Sequence, residues 1–264
     1  MKKLFVMLLV AASFANLNAQ DFVEWQDNVT DYNQVLSTFN LIIAKEAVPP
    51  ASAYYNRGIV KSKLDDSHGA IADFSEVLVK EPDNADAYSL RGIEKAILKD
   101  LEGAYADLAA ALKLDDSNYN TWFNKSLVCS QTGRYDEAIA GFEHCLTLRP
   151  DDAKTYNYRG YAQYKNKNYA AAIGDFGKAL SLNPDLADAY YNRANVYYDL
   201  ENDGKAIEDY TVCINMAFKL KDCYFNRGFS YKYSGNNDAA CKDWSKAEIN
   251  GHSRAATTLE KYCK

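Results

Sequence analysis

Histidine, surplus positive charge and long apolar runs are all scarce in this 264-residue chain, and each scarcity removes a class of function. The three histidines, His68, His144 and His252, are far apart and lack metal-ligand spacing, so they read as surface or packing residues and no metal or other cofactor is expected. Gly-rich phosphate loops are missing; Gly133 and Gly235 read as turn residues, and the other glycine-containing runs as helix-packing positions. Lys and Arg number 30 against 36 Asp and Glu, a net charge of −6 with the acids spread along the chain, which leaves no footprint for nucleic acid. Paired carboxylates such as Asp65-Asp66, Asp115-Asp116 and Asp151-Asp152 fall in turns, where capping is their ordinary work. The chain is therefore expected not to be an enzyme. An active site would have to sit in the irregular segment 20–50, which contains neither His nor Cys.

The one apolar stretch, Leu4 to Ala15, follows Met1-Lys2-Lys3 and precedes Leu17-Asn18-Ala19. It is too short to span a bilayer and reads as a secretory signal peptide over 1–19, cleaved near Ala19. Loss of Lys2 and Lys3 takes the net charge from −6 to −8. No cysteine lies near the cleavage point to carry a lipid, and no second span follows. The expected location is periplasmic or extracellular, where the six cysteines, all beyond the leader, can oxidise.

What the chain does have is a repeat. Ala70, Ala104, Ala138, Ala172, Ala206 and Ala240 recur every 34 residues (104 − 70 = 34). Twelve positions before each stands a small residue: Gly58, Gly92, Ser126, Gly160, Ala194 and Gly228. Four before that is an aromatic, Tyr54, Tyr88, Trp122, Tyr156, Tyr190 and Tyr224, one helical turn earlier on the same face. Four after each alanine is a bulky residue, Phe74, Leu108, Phe142, Phe176, Tyr210 and Trp244. Each unit thus predicts two helices, the alanine of the second fitting the gap left by the small residue of the first.

With closing prolines at Pro82, Pro150 and Pro184, this pattern resembles the tetratricopeptide repeat over residues 51 to 254. Asp116, Phe218 and His252 replace the proline in the other copies, which leaves the shape of those loops open. The resemblance implies an all-α, right-handed α-solenoid. Its expected parts are an N-terminal helical cap at 20–50 and repeats at 51–84, 85–118, 119–152, 153–186, 187–220 and 221–254. A C-terminal capping helix is expected at 255–264.

Polar residues before the second helices, Asp66, Asp100, Asn168, Asn202 and Asn236, are expected N-caps, with Arg134 the exception after Gly133. Arg57, Arg91, Arg159, Arg193 and Arg227 form one column and Asp73, Asp107, Asp175, Asp209 and Asp243 another. Both are lost together in the third repeat, at Lys125 and Gly141, so the columns are expected to face each other. The alternative is that the arginines bind a partner's carboxylates. Cys241 and Cys263 are the candidate disulfide, a staple on the open end worth roughly 3 kcal/mol. Cys213 and Cys223 are a weaker pair, and Cys129 and Cys145 read as small core residues.

In this family the first helices line a concave groove through positions 2, 5, 9 and 12 to 13 of each unit. Carried over, that names Tyr55, Phe123, Tyr161, Tyr164, Tyr191, Asn195, Tyr198, Phe225, Phe229 and Tyr233, with Lys63, Asn157, Lys165 and Lys232 among them. About a third of such rings are expected to pack between repeats instead. Asn56, Asn124, Asn192 and Asn226 are candidates to hold a peptide backbone. The Lys and Asn clamp that some members use for acidic tails is not matched. The expected function is a non-catalytic scaffold gripping a protein or peptide segment of an envelope or secreted partner. A glycan- or cell-wall-binding module and an architectural spacer in a larger complex are the alternatives. Partner and oligomeric state are not encoded in the pattern.

Overall fold

A computed structural model of the protein describes residues 31–263; the expected leader at 1–19 and positions 20–30 of the expected cap lie outside them. Among the described residues there are fourteen helices and no strand. They fall into two compact units that divide between Thr132 and Gly133. The first holds α1 (Tyr32–Lys45), α2 (Ala51–Lys63), α3 (Ser67–Lys80), α4 (Ala85–Ile97), α5 (Leu101–Leu114) and α6 (Tyr119–Gln131). The second holds α7 (Tyr135–Leu148), α8 (Ala153–Lys165), α9 (Tyr169–Leu182), α10 (Ala187–Asp199), α11 (Asp203–Asn215), α12 (Leu220–Tyr233), α13 (Asn237–Ile249) and α14 (Ala255–Tyr262). Within each unit every helix packs on the next, the arrangement of an α-solenoid. No described helix is long and apolar enough to cross a membrane.

Short polar side chains start these helices by accepting orphan amides. Asp66, Asp100, Asn202 and Asn236 cap α3, α5, α11 and α13 as expected. Asn168 does not: its side chain makes no cap hydrogen bond to α9. A second set of caps escaped the sequence reading, with Asn84, Asn118 and Asp152 receiving the amides of Ala87, Thr121 and Thr155 ahead of α4, α6 and α8. The hairpin turn within each repeat needs a left-handed residue one before the cap. Gly133 and Gly235 supply it without strain, whereas Asp65, Lys99, Lys167 and Glu201 adopt φ of 56 to 66° with a Cβ in place. Where Phe218 and His252 stand in for the closing proline, the chain turns instead through Ala217, Lys219 and Gly251, all at positive φ.

The ladders meet as their sizes require. All six alanines and all six bulky residues after them are buried. A Cβ added to Gly92 would come within 2.8 Å of Leu108 Cγ, and one on Gly160 within 2.9 Å of the Phe176 ring. Glycine is therefore what lets the paired helices approach this closely. Ahead of the first repeat, α1 buries Phe39 against Val60 of α2. After the last, α14 packs on α13, with Leu259 and Tyr262 beside Trp244 and Ala247.

Candidate functional site

The arginine column is part of the framework. Each guanidinium grips the facing carboxylate of its own repeat through two nitrogens, at 2.8 and 2.6 Å for Arg57 and Asp73 and at 2.7 Å twice for Arg159 and Asp175. Arg91, Arg193 and Arg227 do the same with Asp107, Asp209 and Asp243. Each also lies 5.5 to 5.6 Å from the ring three residues before it, Tyr54, Tyr88, Tyr156, Tyr190 or Tyr224. The five aspartates are buried, so this bidentate pairing replaces the water they lose. Burial alone would raise the Asp107 pKa, but the hydrogen bonds from Arg91 and Lys95 outweigh it and hold the carboxyl below its ordinary value. The forks are thus engaged, and the reading in which they bind a partner falls away.

The expected groove residues of the second unit sort into two groups. Phe225 is a correction: it is 3% exposed, because the His252 ring stacks on it at 3.7 Å and the Arg254 guanidinium lies over it at 4.9 Å. Phe229 wedges against Trp244 at 5.1 Å, and Tyr191 packs edge-on to Tyr210 and Phe218 at 6.2 Å, and like Tyr198 both stay half-buried. Tyr161 and Tyr233 remain 38% and 60% exposed. Between them, Tyr164 donates its hydroxyl to Asp199 Oδ2 at 2.7 Å, and the Tyr198 and Tyr233 rings sit 6.2 Å apart. Burial, followed by the neighbouring Tyr233 and the carboxylates Asp203 and Asp199, pushes the Tyr198 phenol up to about 12.

In the second unit the asparagines tie helices together rather than standing open. Asn192 Nδ2 donates to Asn157 Oδ1 at 3.2 Å, and Asn226 Nδ2 to Asn195 Oδ1 at 3.4 Å, an oxygen that also receives the Tyr210 hydroxyl at 2.6 Å. In the first unit Asn124 Nδ2 turns back to Asn120 O, and Asn56 is buried with Nδ2 lacking a partner. There too, Tyr55 packs on Phe74 at 6.1 Å and Phe123 stacks on Tyr119 at 5.7 Å. Geometry adds a feature the sequence reading passed over: Asp199, Glu201 and Asp203 join Tyr198 and Tyr233 around one cavity of about 630 Å³. Its trace in the sequence is the alternation Asp199, Glu201, Asp203 directly after an aromatic.

Cys241 on α13 lies beside Cys263 after α14, with Cα atoms 5.7 Å apart, inside the span a disulfide needs. Cys213 and Cys223 are not bridged; they are buried thiols donating to Ala187 O and Phe218 O. Among the described residues no three His, Cys, Asp or Glu side chains converge to hold a metal ion.

Residues 153–186 match one tetratricopeptide-repeat family model, and 119–152 and 187–219 match a second. No curated protein sequence matches the chain. Among solved structures it is similar to MamA, at 28% identity over 65% of this chain and 94% of that one, with a TM-score of 0.59. It shares its fold with YrrB, a protein described as having an unusual peptide-binding site, at 21% identity, 71% and 97% coverage and a TM-score of 0.59. A repeat protein from Parabacteroides merdae has the same fold at 18% identity, 93% and 96% coverage and a TM-score of 0.65. Residues 119–219 are thus three tetratricopeptide repeats, and the same pairing of consecutive helices runs through both units.

Proposed function

We propose that this protein is a non-catalytic interaction scaffold whose second unit holds an extended or helical segment of a partner across α8, α10 and α12. One observation carries the reading: on the first helices of three successive repeats Tyr161 and Tyr233 are exposed and Tyr198 is half-buried, whereas Phe225 is closed off under His252 and Arg254. Such tyrosines lose little entropy when a partner docks, and their hydroxyls can pair with its backbone. The fold itself supports the reading, since tetratricopeptide repeats serve protein interaction and YrrB, on this fold, binds peptide. With a leader at 1–19 the partner would be an envelope or secreted protein. Export would also let Cys241 and Cys263 form a bridge that fastens α14 to α13.

The test is a triple variant, Tyr161→Ala, Tyr198→Ala and Tyr233→Ala, which keeps the packed rings. It should lose the partner identified by crosslinking in envelope extract while its helical circular dichroism stays unchanged. Undiminished capture would remove this face from consideration. Depletion of the protein by protein-free cell-wall sugar would favour a glycan ligand.

A further inference from the structure

The cavity at the end of that face has a chemistry of its own. Its walls are Tyr198 and Asp199 at the close of α10, Glu201 in the turn, Asp203 opening α11 and Tyr233 closing α12. Three acids and two phenols line it, with no lysine or arginine. Tyr164 satisfies one oxygen of Asp199, but burial raises the pKa of Asp203, the approach of the Ser230 hydroxyl offsets part of the rise, and Glu201 adds a smaller push upward. That hydroxyl is wholly buried, and beyond this approach to Asp203 it finds no partner at full hydrogen-bond geometry. Ser230 occupies the register position held by Val60, Val128, Ala162 and Val196 in four other repeats and by the buried Glu94 in the second, so this position admits a polar group and here sets one beside Asp203. Lys232, on the same helix as Tyr233, lies 3.8 Å over the Tyr262 ring and 5.3 Å from the Tyr233 ring, and is not itself part of the lining.

Carboxylates in this state call for a cation. The acids do not converge as metal ligands do, whereas the volume suits a side chain and the two rings offer π faces to an organic cation. We propose that this cavity is a subsite for a lysine or arginine side chain of the docked segment. The aliphatic stem would lie along Tyr198 and Tyr233 and the charged head would meet Asp203, Glu201 and the free oxygen of Asp199. The inference rests on the interaction-scaffold reading and specifies what its partner must carry.

Blocked tripeptides Ac-Gly-X-Gly-NH2, with X as lysine, arginine or norleucine, titrated into the full chain test it without knowing the partner. Lysine and arginine peptides should shift the Tyr198 and Tyr233 ring resonances, and norleucine, of matching stem but no charge, should not. Asp203→Asn with Glu201→Gln should weaken the lysine peptide about tenfold, and Tyr233→Leu should weaken it with the charges intact. Equal binding of norleucine, or an unchanged affinity in the carboxamide double variant, would overturn the proposal. Partner capture by the tyrosine face is read separately. Capture that survives in the carboxamide variant defeats the subsite as an anchor for that partner and leaves the face standing. Tripeptide binding alongside undiminished capture in the triple-alanine variant does the reverse.

Discussion

In the first unit Asp73 and Asp107 each hold two cations, an arginine and a lysine one turn later: Lys61 Nζ is 2.8 Å from Asp73 and Lys95 Nζ is 2.7 Å from Asp107. In the second, Asp209 and Asp243 hold the arginine, and the lysine's place is taken by Tyr197 and Tyr231. Arg193 and Arg227 lie 6.0 and 5.5 Å from those rings as well as beside Tyr190 and Tyr224, so each cation sits between two aromatics. Positions expected to face a partner diverge in parallel, with Ser89, Ile93 and Ala96 on α4 against Tyr191, Asn195 and Tyr198 on α10. One scaffold thus tolerates two surface chemistries because the repeat fixes only the residues that meet inside it. Function is to be sought where the repeat leaves choice.

The comparison can be broken at the ion pairs, where the largest losses of stability are expected. Asp107→Ala strands two cations and should cost about 4 kcal/mol, and Asp209→Ala, stranding one that keeps its rings, about 3 kcal/mol, both read by denaturant unfolding. The Asp107 pKa is depressed by folding, so its contribution is complete above the ordinary carboxylate value of about 3.9 and is lost as pH falls through the lower folded value. Equal costs would mean that Lys95 adds nothing.

The proposed bridge belongs to the second unit alone. Cys263→Ser should lower stability by about 3 kcal/mol for a separation of 22 residues, and reductant should act on wild type but not on the variant. Two fewer free thiols in denatured, unreduced protein would count the bond directly; a full complement would contradict it. The smallest effect should be shared by both units: Lys99→Gly and Lys167→Gly each relieve a left-handed residue and should stabilise by up to about 1 kcal/mol. A loss at either would show that the side chain has work beyond the turn.

Much of the fold was legible because close packing writes itself into size. The alanines, the small residues and the bulky residues recur at positions where only one volume fits, and the matched loss at Lys125 and Gly141 exposed the pairing of the charged columns. The site was less legible because the same ring serves surface and core. Nothing in the spelling of Phe225 says that His252 will cover it, since that depends on how the chain turns at Gly251 where a proline is missing. Asn192 and Asn226 misled for a similar reason: each is satisfied by an asparagine of the neighbouring repeat, Asn157 and Asn195. Asp199, Glu201 and Asp203 follow no column of the repeat; Tyr233, some thirty positions later, completes a cavity with them.

The central claim, that binding is confined to the tyrosine-bearing first helices of the second unit, is tested most directly by amide hydrogen exchange of the full chain with and without its crosslinked partner. Protection gathered on α8, α10 and α12, and absent from α2, α4 and α6, is the result this account predicts. Protection on α2, α4 and α6, or on the second helices α9, α11 and α13, would contradict it.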